Sequence, residues 1–149
     1  MYEDLQHGKG EEIYEDGSHY VGDYYMGAKE GKGKFVWTGG ASYEGEFKNN
    51  NINGQGTYIW SDGRVYKGGW IDNQLDGKGE MTWADGKKYI GSYKLDQKEG
   101  YGEYYWPDGK WYKGNWLNGK RHGHGQFRDS QGNTVEGEYL NGELIQNQQ

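Results

Sequence analysis

The chain has 149 residues, a formal net charge of -6, no cysteine and a mean hydropathy of -1.26. With 29 glycines and an apolar fraction of only 32%, it lacks the aliphatic residues for a thick core, so the aromatic residues, 17% of the chain, must provide one. The net charge disfavours non-specific nucleic-acid binding, which needs a basic surface, and without cysteine no disulfide supports the fold.

Charge is unevenly distributed along the chain. Residues 1–46 carry 4 basic and 10 acidic residues, whereas residues 47–149 carry 13 of each. No stretch approaches the roughly 20 apolar residues that span a bilayer, and the first residues do not resemble a signal peptide. We therefore expect a soluble, intracellular (cytoplasmic) protein with an acidic N-terminal part.

Three patterns recur along the chain with a step of 23 residues. The first is Gly-x-Gly, the second is aromatic-x-Gly-x-aromatic and the third is a single turn glycine. Three patterns in phase over six copies indicate a repeat array, and such arrays present their functional sites on long surfaces. The Gly-x-Gly copies begin at Gly8, Gly31, Gly54, Gly77, Gly100 and Gly123, and the turn glycines are Gly17, Gly40, Gly63, Gly86, Gly109 and Gly132.

Each unit contains two short runs that alternate as strands do, for example residues 43–47 and 56–60. The Asn-rich connection between them, residues 48–55, is typical of a polar loop. The second strand then turns through Ser61-Asp62-Gly63 into the next unit. Tyr58 and Tyr66 belong to one aromatic face, and pairing them requires a three-residue turn whose glycine is left-handed. A two-residue Asp-Gly hairpin is the second choice.

This register also sets the neighbours across the strands. It places Glu103 opposite Lys113 and Lys34 opposite Glu44, two pairs of opposite charge. The glycines between inward aromatics are predicted to let rings from neighbouring strands lie across the backbone. These glycines are Gly45, Gly68, Gly91 and Gly114.

The predicted fold class is all-β: an elongated, single-layer antiparallel β-meander built from 23-residue hairpin repeats. Residues 1–149 form one array of about six units, of which the last, residues 123–149, is degenerate or serves as a cap. The chain begins and ends within a unit, as a fragment excised from a longer protein would. Open terminal strands on such a fragment would favour edge pairing into a homodimer.

These motifs resemble the MORN (membrane occupation and recognition nexus) repeat, whose units combine Tyr-x-Gly-x-Trp/Phe, Gly-x-Gly and an aromatic strand ending in Asp-Gly. The resemblance covers the chain from about Gly8 to Gly142. It implies an elongated β-meander used for association, sometimes by dimerisation and sometimes beside anionic lipid. The family occurs in phosphoinositide kinases, lysine methyltransferases, junctional membrane proteins, ciliary and radial-spoke proteins and parasite cytoskeletal scaffolds. Departures from the pattern are Thr38-Gly39-Gly40, Asp129 and Val135.

Other motifs favour ordinary structural roles. The Gly-x-Gly copies lack the following helix of a phosphate-binding loop, and His122 and His124 lack a third metal ligand nearby. Carboxylates fall at outward strand positions or in turns, where no buried pocket shifts their pKa values. We therefore expect no enzyme activity, no cofactor and no metal.

One unit carries aromatic residues at outward positions that are usually small or polar in the other units. These residues are Tyr101, Tyr105 and Trp111, with Tyr105 predicted to face Trp111. Exposed clustered aromatics are typical of interface anchors, and the first hypothesis is that they bind a protein partner. The alternative is that they only stiffen the hairpin.

The second hypothesis concerns basic residues of the predicted long loops, which should gather along one edge of the sheet. There they would bind anionic phospholipid or phosphoinositide headgroups. The alternative is a solubilising edge that Asp96 and Glu99 offset. A second basic row, Arg64, Lys87 and Lys110, lies at the tight turns, where it could keep the turns soluble. The candidate lipid-binding residues are Lys94, Lys98, Lys120, Arg121 and His122.

The sequence thus favours a non-catalytic interaction scaffold that holds protein partners, with a cytoskeletal or ciliary assembly as its setting. The first alternative is a module that binds phosphoinositides and recruits the protein to a membrane as a peripheral protein. The second is the MORN segment of a larger lipid kinase or methyltransferase.

Overall fold

The computed structural model describes residues 7–148. This part of the chain contains no helix and thirteen strands. It forms two compact units that divide between Gln74 and Leu75. The first unit holds β1 (Gly8–Ile13), β2 (His19–Tyr25), β3 (Ala28–Val36), β4 (Ser42–Lys48), β5 (Asn51–Ile59) and β6 (Val65–Ile71). The second holds β7 (Gln74–Thr82), which begins at the boundary, β8 (Lys88–Lys94), β9 (Gln97–Tyr105), β10 (Trp111–Leu117), β11 (Lys120–Arg128), β12 (Thr134–Leu140) and β13 (Glu143–Gln148).

Within each unit every strand pairs antiparallel with its neighbours in sequence. The first unit runs from β1 to β6 in chain order, and the second from β7 to β13. Consecutive hairpins therefore form a β-meander, as the alternation of aromatic and polar residues predicts. The all-β fold class is confirmed.

The tight turn within the repeat has the predicted length. Tyr58 lies opposite Tyr66, and the turn closes with a 2.9 Å hydrogen bond from the Trp60 N–H to the Arg64 carbonyl. Gly63 has φ of 97°, a left-handed conformation that glycine adopts without steric cost. The predicted charge pairs, Glu103 with Lys113 and Lys34 with Glu44, also lie opposite each other. Residues that pair across a hairpin must lie on the same face of the sheet, and this requirement alone predicts the three-residue turn.

The long loop predicted for residues 48–55 is wrong. Strand β5 begins at Asn51, and only Asn49 and Asn50 form the turn, with φ of 49° and 71°. Two consecutive left-handed residues make a type I′ hairpin, which asparagine tolerates well. A bulge between Gly45 and Phe47 absorbs the additional residues of β5. The polar composition therefore encodes a tight hairpin rather than a loop.

The core lies on the aromatic face of the strands. Tyr43 is fully buried, and its ring crosses Gly45 and Gly56, where an added Cβ would overlap the ring or its hydroxyl. The hydroxyl donates a 2.9 Å hydrogen bond to the Glu46 carbonyl, so the buried polar atom is satisfied. The close packing predicted at these glycines is present at Gly45, Gly91 and Gly114, but the ring comes from the tyrosine two residues earlier on the same strand and crosses to a glycine of the neighbouring strand. The fully buried tyrosines are Tyr20, Tyr43, Tyr66, Tyr89 and Tyr112.

Aromatic rings pack edge to face both within a strand and between strands. The Tyr43 ring contacts Phe47 of its own strand, β4, at a centroid distance of 5.2 Å and an angle of 90°, and Trp70 of β6 at 5.7 Å and 84°. Such T-shaped contacts align the positive edge of one ring with the negative face of the next. The aromatic face thereby supplies the packing that the scarce aliphatic residues cannot.

Candidate interaction surfaces

Strands β9 and β10 carry the predicted aromatic patch, which we define as Tyr101, Tyr105 and Trp111. Tyr105 lies directly opposite Trp111, as predicted from the register. Tyr101 shares their face because residues two and four apart on a strand point the same way. Its side chain is 55% exposed, whereas Tyr105 and Trp111 are half-buried.

A carboxylate and an ammonium group fix the geometry of the aromatic patch. Glu103 accepts a hydrogen bond from the hydroxyl of Tyr101, at 3.0 Å, and another from the hydroxyl of Tyr105. Lys113, opposite Glu103, places its Nζ 4.4 Å from the centroid of the Trp111 ring. The surface thus combines ordered rings with charged groups of both signs, a composition typical of interface anchors.

Electrostatics keep Glu103 ionised and the tyrosines neutral. The hydrogen bond from the Tyr105 hydroxyl lowers the pKa of the Glu103 carboxyl. Burial, with the Glu103 carboxylate as a further cause, raises the pKa of Tyr105 to about 12. At neutral pH the Tyr105 hydroxyl is therefore a donor already directed at Glu103, and the patch presents mainly ring surface to a partner.

The aromatic patch belongs to one repeat only. The corresponding positions one repeat earlier are Lys78, Thr82 and Lys88, and one repeat later they are His124, Arg128 and Thr134. Repeats of the same backbone pattern therefore tolerate polar side chains at these positions.

The five candidate lipid-binding residues do not share one surface. Lys94 and Lys120 are exposed beside the two-residue turns. Lys98 instead lies on the aromatic face, and its Nζ is 5.5 Å from the ring centroids of both Tyr89 and Trp116. Burial lowers the pKa of Lys98.

Arg121 occupies the equivalent position one repeat later, with its guanidinium carbon 5.2 Å from the ring centroid of Tyr112. His122 is half-buried, and its Nδ1 has no hydrogen-bond partner among residues 7–148. Of the five residues, only Lys94 and Lys120 are exposed.

These cations occupy a position that is apolar in two of the other repeats. The same 23-residue position holds Lys29, Ile52, Leu75, Lys98 and Arg121, and both Ile52 and Leu75 are buried. Composition does not predict this placement of Lys98 and Arg121, because both residues fall in segments typical of long loops. The alternation along the strand does indicate it. Lys98 lies an even number of residues before Gly102 and Tyr104, which face inward, so its side chain is expected on the same face.

Histidine and carboxylate side chains do not cluster into a metal site in residues 7–148, where no group of three potential ligands was found. His124 instead pairs with Glu136, with 2.8 Å between Nε2 and Oε2. In the same part of the chain, no helix is both long and apolar enough to cross a membrane.

The repeated hairpins and the aromatic face define an all-β repeat protein whose candidate sites lie on strand faces and at turns. The chain belongs to the MORN repeat family. The family model matches residues 1–19, 20–42, 43–63, 66–88, 89–111 and 112–134. MORN repeats are in general modules of interaction with proteins and membranes.

Comparison with solved structures gives remote similarities. The TCP domain of SAS-4 (dCPAP) from Drosophila melanogaster, solved with a proline-rich motif of Ana2 (dSTIL), is 14% identical with a TM-score of 0.49. That match covers 87% of this chain and 77% of the fly domain. The TCP10 domain of Danio rerio CPAP, as its E1021V mutant, is 16% identical with a TM-score of 0.24, covering 95% and 88%. A search of curated proteins found no significant match.

Proposed function

We propose that this chain is a non-catalytic interaction scaffold that holds a protein partner on the aromatic patch. The observation that supports this function is the exposed ring of Tyr101 beside the facing pair of Tyr105 and Trp111. Rings held by Glu103 and Lys113 lose little conformational freedom on binding, which favours their use as anchors. We further propose that the scaffold acts in a cytoplasmic cytoskeletal or ciliary assembly.

The test replaces the patch with the residues of the preceding repeat: Tyr101→Lys, Tyr105→Thr and Trp111→Lys. Because the chain already uses Lys78, Thr82 and Lys88 at these positions, the variant should keep the fold. Crosslinked complexes recovered from the protein's native cells are quantified for both forms by mass spectrometry. We expect loss of at least one reproducible partner of the original chain.

The matched control changes Ile59 and Val65 to serine. These residues also face each other on neighbouring strands of one tight hairpin, and Ile59 is 43% exposed. The control variant should retain the partner. Equal recovery by the patch variant and the original chain would refute the assignment of the partner to the aromatic patch.

Membrane recruitment is the second candidate function, and the exposed ammonium groups of Lys94 and Lys120 are the observation that supports it. Each lysine near an anionic membrane contributes about 1 kcal/mol, so two give weak binding. Flotation with phosphoinositide vesicles at two salt concentrations tests it, with a Lys94→Gln/Lys120→Gln variant as the comparison. Salt-sensitive flotation that the variant loses would support recruitment, and its absence at low salt would exclude it.

A further inference from the structure

The tight turns of three repeats combine a carboxylate, a basic side chain and a tryptophan. In the hairpin of β5 and β6, Arg64 Nε lies 3.0 Å from Asp62 Oδ2, and its guanidinium carbon is 4.5 Å from the Trp60 ring centroid. Lys110 pairs with Asp108 at 3.4 Å and lies over the Trp106 ring. In each case the cation comes from the residue two positions after the turn aspartate. The third pair of this kind is Lys87 with Asp85, at 3.3 Å.

The first two tight turns of the described chain have no such cation. Ser18 and Ala41 stand at its position, beside Tyr14 and Trp37 respectively. The Asp16 carboxylate accepts a 2.9 Å hydrogen bond from the Ser18 N–H. Within residues 7–148, neither Asp16 nor Glu15 forms an ion pair with a basic side chain.

An open cavity of about 500 Å³ lies at the first of these turns, and Ser18, which stands where the cation is missing, is part of its lining. Aromatic rings form its apolar wall, and its charged lining is acidic. The surrounding sequence is acidic as well, with 10 acidic and 4 basic residues in positions 1–46. The lining residues are Tyr14, Glu15, Asp16, Ser18, Phe35 and Trp37.

Lys29 lies close to this wall, with its Nζ 5.4 Å from the Tyr14 ring centroid and 5.6 Å from the Phe35 ring centroid. It is also 5.2 Å from the centroid of the buried Tyr20 ring. Lys29 is not one of the residues that line the cavity. The carboxylates of Glu15 and Asp16 therefore have no basic partner within the cavity wall.

We propose that this cavity binds an arginine side chain from a basic segment of a partner protein. The guanidinium would stack on Trp37 and Tyr14 and pair with the Asp16 and Glu15 carboxylates, as Arg64 does with Trp60 and Asp62 in its own hairpin. A planar guanidinium can stack and form directed hydrogen bonds at once, which favours arginine over lysine. The site is separate from the aromatic patch and does not depend on it.

The test uses a short acetylated peptide of alternating glycine and arginine. Binding is followed by NMR through the indole N–H signals of the tryptophans and the backbone N–H of Ser18. We expect saturable shifts of the Trp37 and Ser18 signals, weaker binding of the glycine-lysine peptide and no shift with a glycine-glutamine peptide. No saturable shift at Trp37, or equal shifts of all tryptophan indoles, would overturn the proposal.

Two substitutions sharpen the test: Asp16 lies in the cavity wall, and the Ala41 carbonyl accepts a hydrogen bond from the N–H of Trp37, which lines the cavity. Ala41→Arg supplies the chain's own guanidinium beside Trp37 and should weaken peptide binding at least about fivefold. Asp16→Asn keeps an acceptor for the Ser18 N–H but removes the charge, and should weaken binding about threefold. Unchanged peptide affinity in both folded variants would contradict the site.

The reciprocal substitution is Arg64→Ser. It uncovers Trp60 and Asp62, so the arginine peptide should now also shift the Trp60 indole signal. The proposal assumes that a basic side chain at this position covers the tryptophan and pairs with the aspartate. A variant that stays folded but shows no new shift at Trp60 would argue against this assumption.

Discussion

Tyr43 connects two strands through one side chain. Its ring is fully buried between glycines of adjacent strands, and its hydroxyl donates to the Glu46 carbonyl. Without this acceptor, the desolvated phenol would lower the free energy of unfolding by about 1–3 kcal/mol. The same combination of a ring, a carbonyl acceptor and two glycines recurs at Tyr20, Tyr89 and Tyr112.

Gly56 is the residue that this packing constrains most directly. Gly56→Ala would force the new Cβ into the Tyr43 ring, and we expect the free energy of unfolding to fall by about 2–3 kcal/mol, as in overpacked cores. Urea unfolding followed by tryptophan fluorescence measures the change. Gly39→Ala is the control, because no atom lies within 4 Å of its added Cβ. Equal stability of both variants would contradict the packing described.

The buried tyrosines also predict a loss of stability at alkaline pH. Burial raises the pKa of Tyr20 and of Tyr112 from an ordinary 10.0 to about 12. Between these values the unfolded phenols lose their protons first, so the folded state binds more protons. The contribution to the free energy of unfolding is fully present below pH 10 and is lost as the pH rises through 12.

Urea unfolding at a series of alkaline pH values checks this prediction. Lysines titrate in the same range, so the comparison is with a Tyr20→Phe/Tyr112→Phe variant, whose stability should fall less steeply. Identical pH profiles for the two proteins would show that these phenols do not contribute.

Two kinds of turn alternate along each meander, and they place different demands on sequence. The three-residue turns need one left-handed glycine, as at Gly63. The two-residue turns need two consecutive left-handed residues, a conformation that asparagine, aspartate and glycine tolerate best. Leu95, with φ of 48°, departs from this rule, whereas Asn118 with φ of 52° follows it at the same position one repeat later.

Leu95→Asn should therefore stabilise the protein. The left-handed conformation costs an ordinary residue about 1 kcal/mol or more, and the 62% exposed leucine side chain loses little burial. We expect the free energy of unfolding to rise by about 1 kcal/mol, measured by urea unfolding. The reverse change, Asn118→Leu, should lower it by a similar amount. A destabilised Leu95→Asn variant would mean that leucine makes contacts that outweigh the strain.

Elements differed in how well the sequence predicted them. The turn at residues 61–63 was predictable because Tyr58 and Tyr66 must share a face, which leaves one loop length. The turn at Asn49 and Asn50 was not, because asparagine is common both in open loops and in type I′ hairpins. For the same reason the sequence predicts Lys98 at a loop edge, whereas the structure places it on the aromatic face.

Across the whole molecule, the repeat provides a constant framework on which single repeats differ. The facing of Tyr105 and Trp111 followed from register, and so was accessible from sequence. The hydrogen bonds that Glu103 accepts from Tyr101 and Tyr105 depend on side-chain rotamers, which periodicity does not encode. The cavity beside Trp37 is likewise not predictable from the sequence, because residues of two separate turns line it together.

The charge distribution fits two separate surfaces. The acidic part of the chain contains Asp16 and the aromatic cavity, and the second unit contains the aromatic patch. An interaction scaffold with two such surfaces would contact one partner through ring surface and another through a basic side chain.

Site-specific photo-crosslinking tests whether a protein partner contacts the aromatic patch. A benzophenone amino acid replaces Tyr101 in one protein and Ile59 in another, and both are irradiated in the native cells. We expect a discrete crosslinked species from position 101 that position 59 does not form and that Trp111→Lys abolishes. No discrete species from position 101, or the same species from both positions, would contradict the proposed contact.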